Sequence, residues 1–145
     1  MLLGHGHNQE QYQRISVEAS VEASSSNELF VKLHDKAIEC IETMKFAIHE
    51  KDFKKKGESS AHAIDVLSLL DDSLDMSIDS KLIQNLHAVY EHSIGMIAKV
   101  SKELDPEPLD GLIELLEKPR DGFKELVNQE RQGSSVASES GANDL

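Results

Sequence analysis

Tryptophan is absent from these 145 residues, and aromatic residues make up only 4% of the chain. Such a sequence offers few flat platforms on which nucleic-acid bases could stack. Positive charge is also scarce, with 15 Lys and Arg against 27 Asp and Glu for a formal charge of -12. That balance argues against a phosphate backbone or an anionic membrane surface as partner. The single cysteine, Cys40, cannot form an internal disulfide and suits a reducing compartment. Three prolines and few β-branched runs favour helices over a sandwich or barrel. No apolar stretch approaches the length of a membrane span, and no basic start followed by an apolar run marks a signal peptide. The length suits one domain with a real core.

What is present is helical periodicity. Phe30, Leu33, Ala37, Ile41, Met44 and Ile48 recur at steps of three and four, which places them on one face of a helix. Leu29 and Cys40 flank the stripe on one side and Val31 and Ile38 on the other, so the apolar arc covers roughly half the helix, wider than the ~100° that one core contact needs. Ser25 followed by Glu28 is a capping-box pattern at its start. Cys40 on the edge of the arc reads as a small buried hydrophobe, and Phe46 falls on the polar side. A second stripe runs through Ala61, Ile64, Leu67, Leu70 and Leu74, and a third through Ile83, Leu86, Tyr90, Ile94, Ile97 and Leu104. Asp105-Pro106-Glu107-Pro108 ends the third helix. A fourth carries Leu112, Ile113, Leu116, Phe123 and Val127, with Pro119 expected to kink or break it. The spacing predicts an all-α, antiparallel up-and-down four-helix bundle over residues 25–127. Residues 1–24 read as a flexible, partly helical N-terminal arm, and 128–145 as a disordered tail.

Chemistry is hard to find. His5 and His7 lie in the polar lead, and His87 and His92 are too far apart in helical phase to share a ligand, so no metal or cofactor is expected. His34, near the centre of the first apolar arc, reads as a buried, hydrogen-bonded histidine. Asp71-Asp72 and the Glu114/Glu117 pair read as solvated helix faces, with no apolar pocket to tune an acid. Neither a glycine-rich phosphate loop nor a nucleophile with a base beside it is evident, which argues against an enzyme. Histidine phosphotransfer domains are also acidic four-helix bundles, with a phosphorylated histidine in a His-x-x-Lys-Gly context. Here His62 is followed at those positions by Asp65 and Val66, and His49 by Asp52 and Phe53, which supply neither the charge nor the close backbone approach that phosphate needs.

Five segments in order carry a likeness. They are Tyr12-Gln13 with Ile15, Val17-Glu18 and Val21; Leu29 to Ile38; Ala63-Ile64 with Leu67, Leu70 and Ser73-Leu74-Asp75; Gln84-Asn85-Leu86 with Val89-Tyr90; and Arg120-Asp121-Gly122-Phe123-Lys124-Glu125. Together, over about Tyr12 to Leu126, the chain resembles the flagellin export chaperone family, FliS. It departs at His34 and His92, where the family usually has aromatics, at Lys36, where it has glycine, and at Gly95 and Met96, where it has basic residues. Pro119 is also unusual. These departures bear on the choice of partner more than on the fold.

The resemblance implies a cytoplasmic, ATP-independent secretion chaperone. It would hold the disordered C-terminal segment of flagellin, prevent premature polymerisation, and present the cargo to the flagellar export apparatus. Leu33, Ile38, Ile64, Leu67, Leu86, Val89 and Ile97 are the candidate groove residues, each equally readable as bundle core. Tyr12 and Ile15 are candidates for an arm that caps the groove when cargo is absent. The alternative is a diverged bundle adaptor that binds another flagellar or regulatory protein. A weak homodimer is compatible with either reading.

Overall fold

The computed structural model describes residues 25–143, with side chains to Gly133. Four helices follow one another: α1 (Ser26–His49), α2 (Phe53–Asp72), α3 (Lys81–Glu103) and α4 (Pro108–Asn143). Short connections make successive helices antiparallel, and α1 packs on α2 and α4 while α3 packs on the same two. The result is the expected up-and-down bundle.

Each helix start is written locally. The Ser25 hydroxyl accepts the Glu28 N–H at 3.2 Å, which satisfies one orphan donor of α1. Replacing Ser25 with Ala should therefore cost about 1 kcal/mol, read as a lower urea midpoint with unchanged slope. The Asp52 carboxylate caps α2 by accepting from Lys55 N–H at 3.1 Å, and Ser80 caps α3. Pro108 opens α4, where its fixed φ suits a first helical position. Helix ends are equally specific. Lys51 turns left-handed at φ 58, and Asp52 N–H returns to Ala47 O at 2.9 Å, so α1 reverses into α2 within a few residues. Leu104 closes α3 in the left-handed conformation, its N–H on Val100 O at 2.8 Å.

The core is largely apolar, with His34 and Ser93 among its few buried polar side chains. Phe30, Leu33, Ile41 and Met44 of α1 meet Leu67 and Leu70 of α2, Ile83 and Ile97 of α3, and Leu109 and Leu116 of α4, all nearly inaccessible to solvent. Cys40 is buried among them. The wide apolar arc of α1 is used up by the bundle itself: Leu29, Ala37, Ile38, Ala47 and Ile48 are buried too, because α1 is covered on two sides, by α2 and by α4.

Three details differ from the sequence reading. In α2, Ala61 is exposed and Ile64 half-buried, while Ala63, Val66 and Leu69 are fully buried; the helix is rotated so that Val66 and Leu69 join the core. In α4, Pro119 interrupts neither the helix nor its buried stripe. It removes one backbone donor, the bond to Leu115 O, and the packing of Leu112, Leu116, Phe123 and Val127 carries the helix through. The helix also continues past Val127, its last buried side chain, to Asn143. Two cross-helix contacts hold the first turn beyond that point: Arg131 to Glu28 at 2.8 Å and Asn27 to Glu130 at 2.5 Å. A stretch free of proline can follow a helix already nucleated by packing.

Candidate functional site

The seams between neighbouring helices are unlike one another. Along α1/α4, charge closes the surface: Lys45 reaches Asp110 at 2.7 Å, Arg120 reaches Asp35 at 3.1 Å, and Arg131 reaches Glu28. Arg120 also touches Glu117 and Asp121, so its guanidinium is shared among three carboxylates. Along α2/α3, Lys56 Nζ donates to Ser101 O at 2.9 Å, the Ser60 and Ser101 hydroxyls meet at 3.3 Å, and His87 Nδ1 lies 2.6 Å from Asp71 Oδ1. Between α3 and α4, among the described residues, no hydrogen bond or ion pair crosses, and these two helices touch least of the four adjacent pairs.

The side chains along that open seam are apolar. His87 and Ser101 mark the α2-facing side of α3. On the opposite side, Leu82, Val89 and Met96 recur every seven residues. Asp110, Arg120 and Arg131 mark the α1-facing side of α4; Leu115, Pro119, Gly122 and Leu126 form the stripe on its other side. Because the helices are antiparallel, the Met96 end of one stripe runs beside the Leu115 end of the other, and the Leu82 end beside Leu126. Leu82 is 53% exposed and Leu126 40%, and Val89, Met96 and Leu115 are half-buried against the core. Gly122 is exposed, and a Cβ added there would meet nothing within 4 Å. The arrangement is an apolar strip along the seam, unlaced by polar contacts among the described residues.

The sequence candidates divide accordingly. Leu33, Leu67, Leu86 and Ile97 are core residues, at 4% exposure or less. Ile38, 7% exposed, is buried at the α1/α4 edge of the core. Ile64 is half-buried on the α2/α3 seam, beside Ile94 in helical phase. Val89 alone of the candidates lies on the α3/α4 seam, half-buried. Tyr12 and Ile15 lie outside the described residues. Leu82, Leu115 and Leu126 were not singled out by sequence reasoning, and Met96 only as a departure from the resembled family; the Leu82-Val89-Met96 heptad was the available signal. Phe46, 58% exposed, is on the polar side of α1 as expected, with the Lys55 ammonium 5.9 Å from its ring centre.

Two histidines have defined environments. His34 is fully buried. Its Nδ1–H donates to Phe30 O at 2.7 Å, a carbonyl that can only accept, so Nε2 is unprotonated and accepts from Tyr90 O–H at 2.9 Å. Its ring also lies against Phe123 and Tyr90. Burial lowers its pKa to about 4, opposed in part by the Phe30 carbonyl and Asp35, and burial likewise pushes the Tyr90 phenol up. His87 is the converse case. Asp71 on Nδ1 raises it, with further help from Glu91, whose Oε1 is 3.3 Å from Nε2. Asp71 is not the solvated carboxylate read from the sequence. It is half-buried, and that burial raises its own pKa against the opposing pull of His87.

The chain is similar to known proteins over most of its length. The family model described as "Flagellar protein FliS" matches residues 8–130. The flagellar secretion chaperone FliS of Vibrio cholerae is 28% identical over 105 residues, 72% of this chain and 77% of that protein. The flagellar secretion chaperone FliSB of Pseudomonas aeruginosa is 27% identical over 106 residues, 73% of this chain and 84% of that protein.

Proposed function

Because the chain belongs to the FliS family of flagellar proteins, we propose that it is a flagellar secretion chaperone that holds the C-terminal segment of flagellin in the α3/α4 groove. The carrying observation is the apolar seam of Leu82, Val89, Met96, Leu115 and Leu126 with no polar lacing across it. A disordered segment that is helical in its assembled state must bury one apolar face, and this groove is a substitute for the filament. Net micromolar binding needs about 8 kcal/mol, and ordering the cargo costs about 2–5 kcal/mol more. At about 25 cal/mol per Å² these sums require about 400–500 Å² of apolar burial before any cost of association. A groove running along a whole helix pair can supply that area, whereas a single small pocket cannot.

In this reading the protein works in the cytosol, and the loaded complex is handed to the flagellar export apparatus. Tyr12 and Ile15 cover the groove when cargo is absent. The net charge of -12 keeps copies with an open apolar groove apart. Titrating the purified protein with a peptide of the flagellin C-terminal segment should give a stoichiometric complex with a negative heat-capacity change on binding. An absence of binding at tens of micromolar would remove flagellin as the cargo and leave the groove to another flagellar or regulatory protein. That second reading draws on Met96 in the groove wall and the exposed His92 and Gly95 beside it on α3, the positions where the chain departs from its family's usual residues.

A further inference from the structure

The seam on the far side of α3 carries a cluster that the chaperone reading does not use. Asp71 near the end of α2, and His87 and Glu91 one turn apart on α3, bring one donor atom each within 4.8 Å of the others. The two separations within the cluster differ in kind. Asp71 Oδ1 and His87 Nδ1 are 2.6 Å apart, a hydrogen-bond distance and too short for two ligands of one ion. His87 Nε2 and Glu91 Oε1 are 3.3 Å apart, which matches the ligand-to-ligand edge of about 3.3 Å in a tetrahedral site with bonds of about 2.0–2.1 Å. The surroundings are anionic. Asp72 and Glu91 both act on Asp71, and among the charges acting on it the only cation is His87 itself. No lysine or arginine of the described residues pairs with any of these carboxylates.

We propose that His87 Nε2 and Glu91 bind a borderline divalent cation, Zn²⁺ being the type, while Asp71 holds the imidazole from behind through Nδ1. A nitrogen–carboxylate donor pair suits Zn²⁺ rather than Mg²⁺ or Ca²⁺, which take oxygen ligands. The carboxylate on the far ring nitrogen is the outer partner that fixes the tautomer and orientation of metal-bound histidines. The remaining coordination positions face solvent, since the Glu91 side chain is 64% exposed, and are filled by water. Through Asp71 the ion would couple α2 to α3 and stiffen that helix pair.

The test uses the full chain with His5→Asn and His7→Asn, which removes the histidines of the N-terminal lead as competing chelators. Zn²⁺ alone is titrated in competition with a chromophoric chelator, and melting is followed with and without the ion. One Zn²⁺ should bind, with an upward shift in Tm. His87→Ala should abolish both effects, Glu91→Gln should weaken binding, and Asp71→Ala should weaken it about 10–100-fold. His87 is half-exposed, so its removal leaves the core intact, and circular dichroism of each variant checks this. Equal Zn²⁺ binding by the His87→Ala protein, or no stoichiometric binding by the parent, overturns the assignment.

Discussion

Acidification from about pH 6.5 to about pH 4 is expected to remove about 3 kcal/mol of stability through His34 alone. The sign follows from proton counts. In the unfolded chain His34 has an ordinary pKa of 6.5, and in the fold it is lowered to about 4. Between those values the unfolded state binds the extra proton and the native state does not, so stability falls as pH falls, and the loss is complete below about 4. The physical cause is burial, which strips water from the charged ring, and the donor arrangement around the ring offers no replacement. An imidazolium would place a second N–H against Tyr90, whose own hydroxyl hydrogen would then need another acceptor in a fully buried site. Asp35 next to His34 in sequence favours the proton and Arg120 on α4 opposes it, but both are subordinate to burial. The measurement is a series of urea midpoints from pH 7.5 to 4 for the parent and for His34→Phe. The variant keeps the ring packing against Phe123 and leaves Tyr90 without an acceptor. It should be about 1–3 kcal/mol less stable at neutral pH and lose less on acidification than the parent. Equal slopes for the two proteins would contradict the assignment.

The second large effect separates groove from core. Val89→Asp should lower affinity for the flagellin segment about 100-fold, or about 2.7 kcal/mol, while the melting temperature stays within a few degrees of the parent. Val89 is half-exposed on the groove wall, so an aspartate there is hydrated in the free protein and stripped of water only by cargo. Ile38→Asp should do the reverse. Its side chain is buried at the α1/α4 edge, and a carboxylate there costs several kcal/mol, enough to threaten the fold of a marginally stable domain. Isothermal titration beside thermal melts reads both. Val89→Asp binding as tightly as the parent would move the cargo site elsewhere on the bundle.

The bundle was legible in the sequence because its signals are local: apolar stripes at helical spacing, Ser25 as a cap, and Pro106 and Pro108 between α3 and the body of α4. The groove was not, because half a circle of apolar residues on α1 looks like surplus until both neighbours are known. Residues such as Leu33 and Ile97 have the same periodicity whether they face cargo or core; only the arrangement of α2 and α4 around them decides. The exposed wall at Leu82 and Leu126 required knowing which sides of α3 and α4 were already occupied. Asp71 likewise joins His87 through cross-helix packing that no spacing within one segment encodes. Pro119 misled in the opposite direction, since tertiary packing outweighed a local breaker.

The unequal seams also give the molecule the mechanics of a book. The most extensive packing, between α1 and α2, is the spine. Charges stitch α4 to one cover and polar contacts stitch α3 to the other, while the fore-edge between α3 and α4 is held by apolar contact alone. Ionic strength therefore acts unevenly. Added salt screens the exposed Lys45, Arg120 and Arg131 pairs that fasten α4 to α1 and leaves the fore-edge as cohesive as before. The same molecule can thus loosen along its α1/α4 margin while the α3/α4 edge keeps its apolar cohesion.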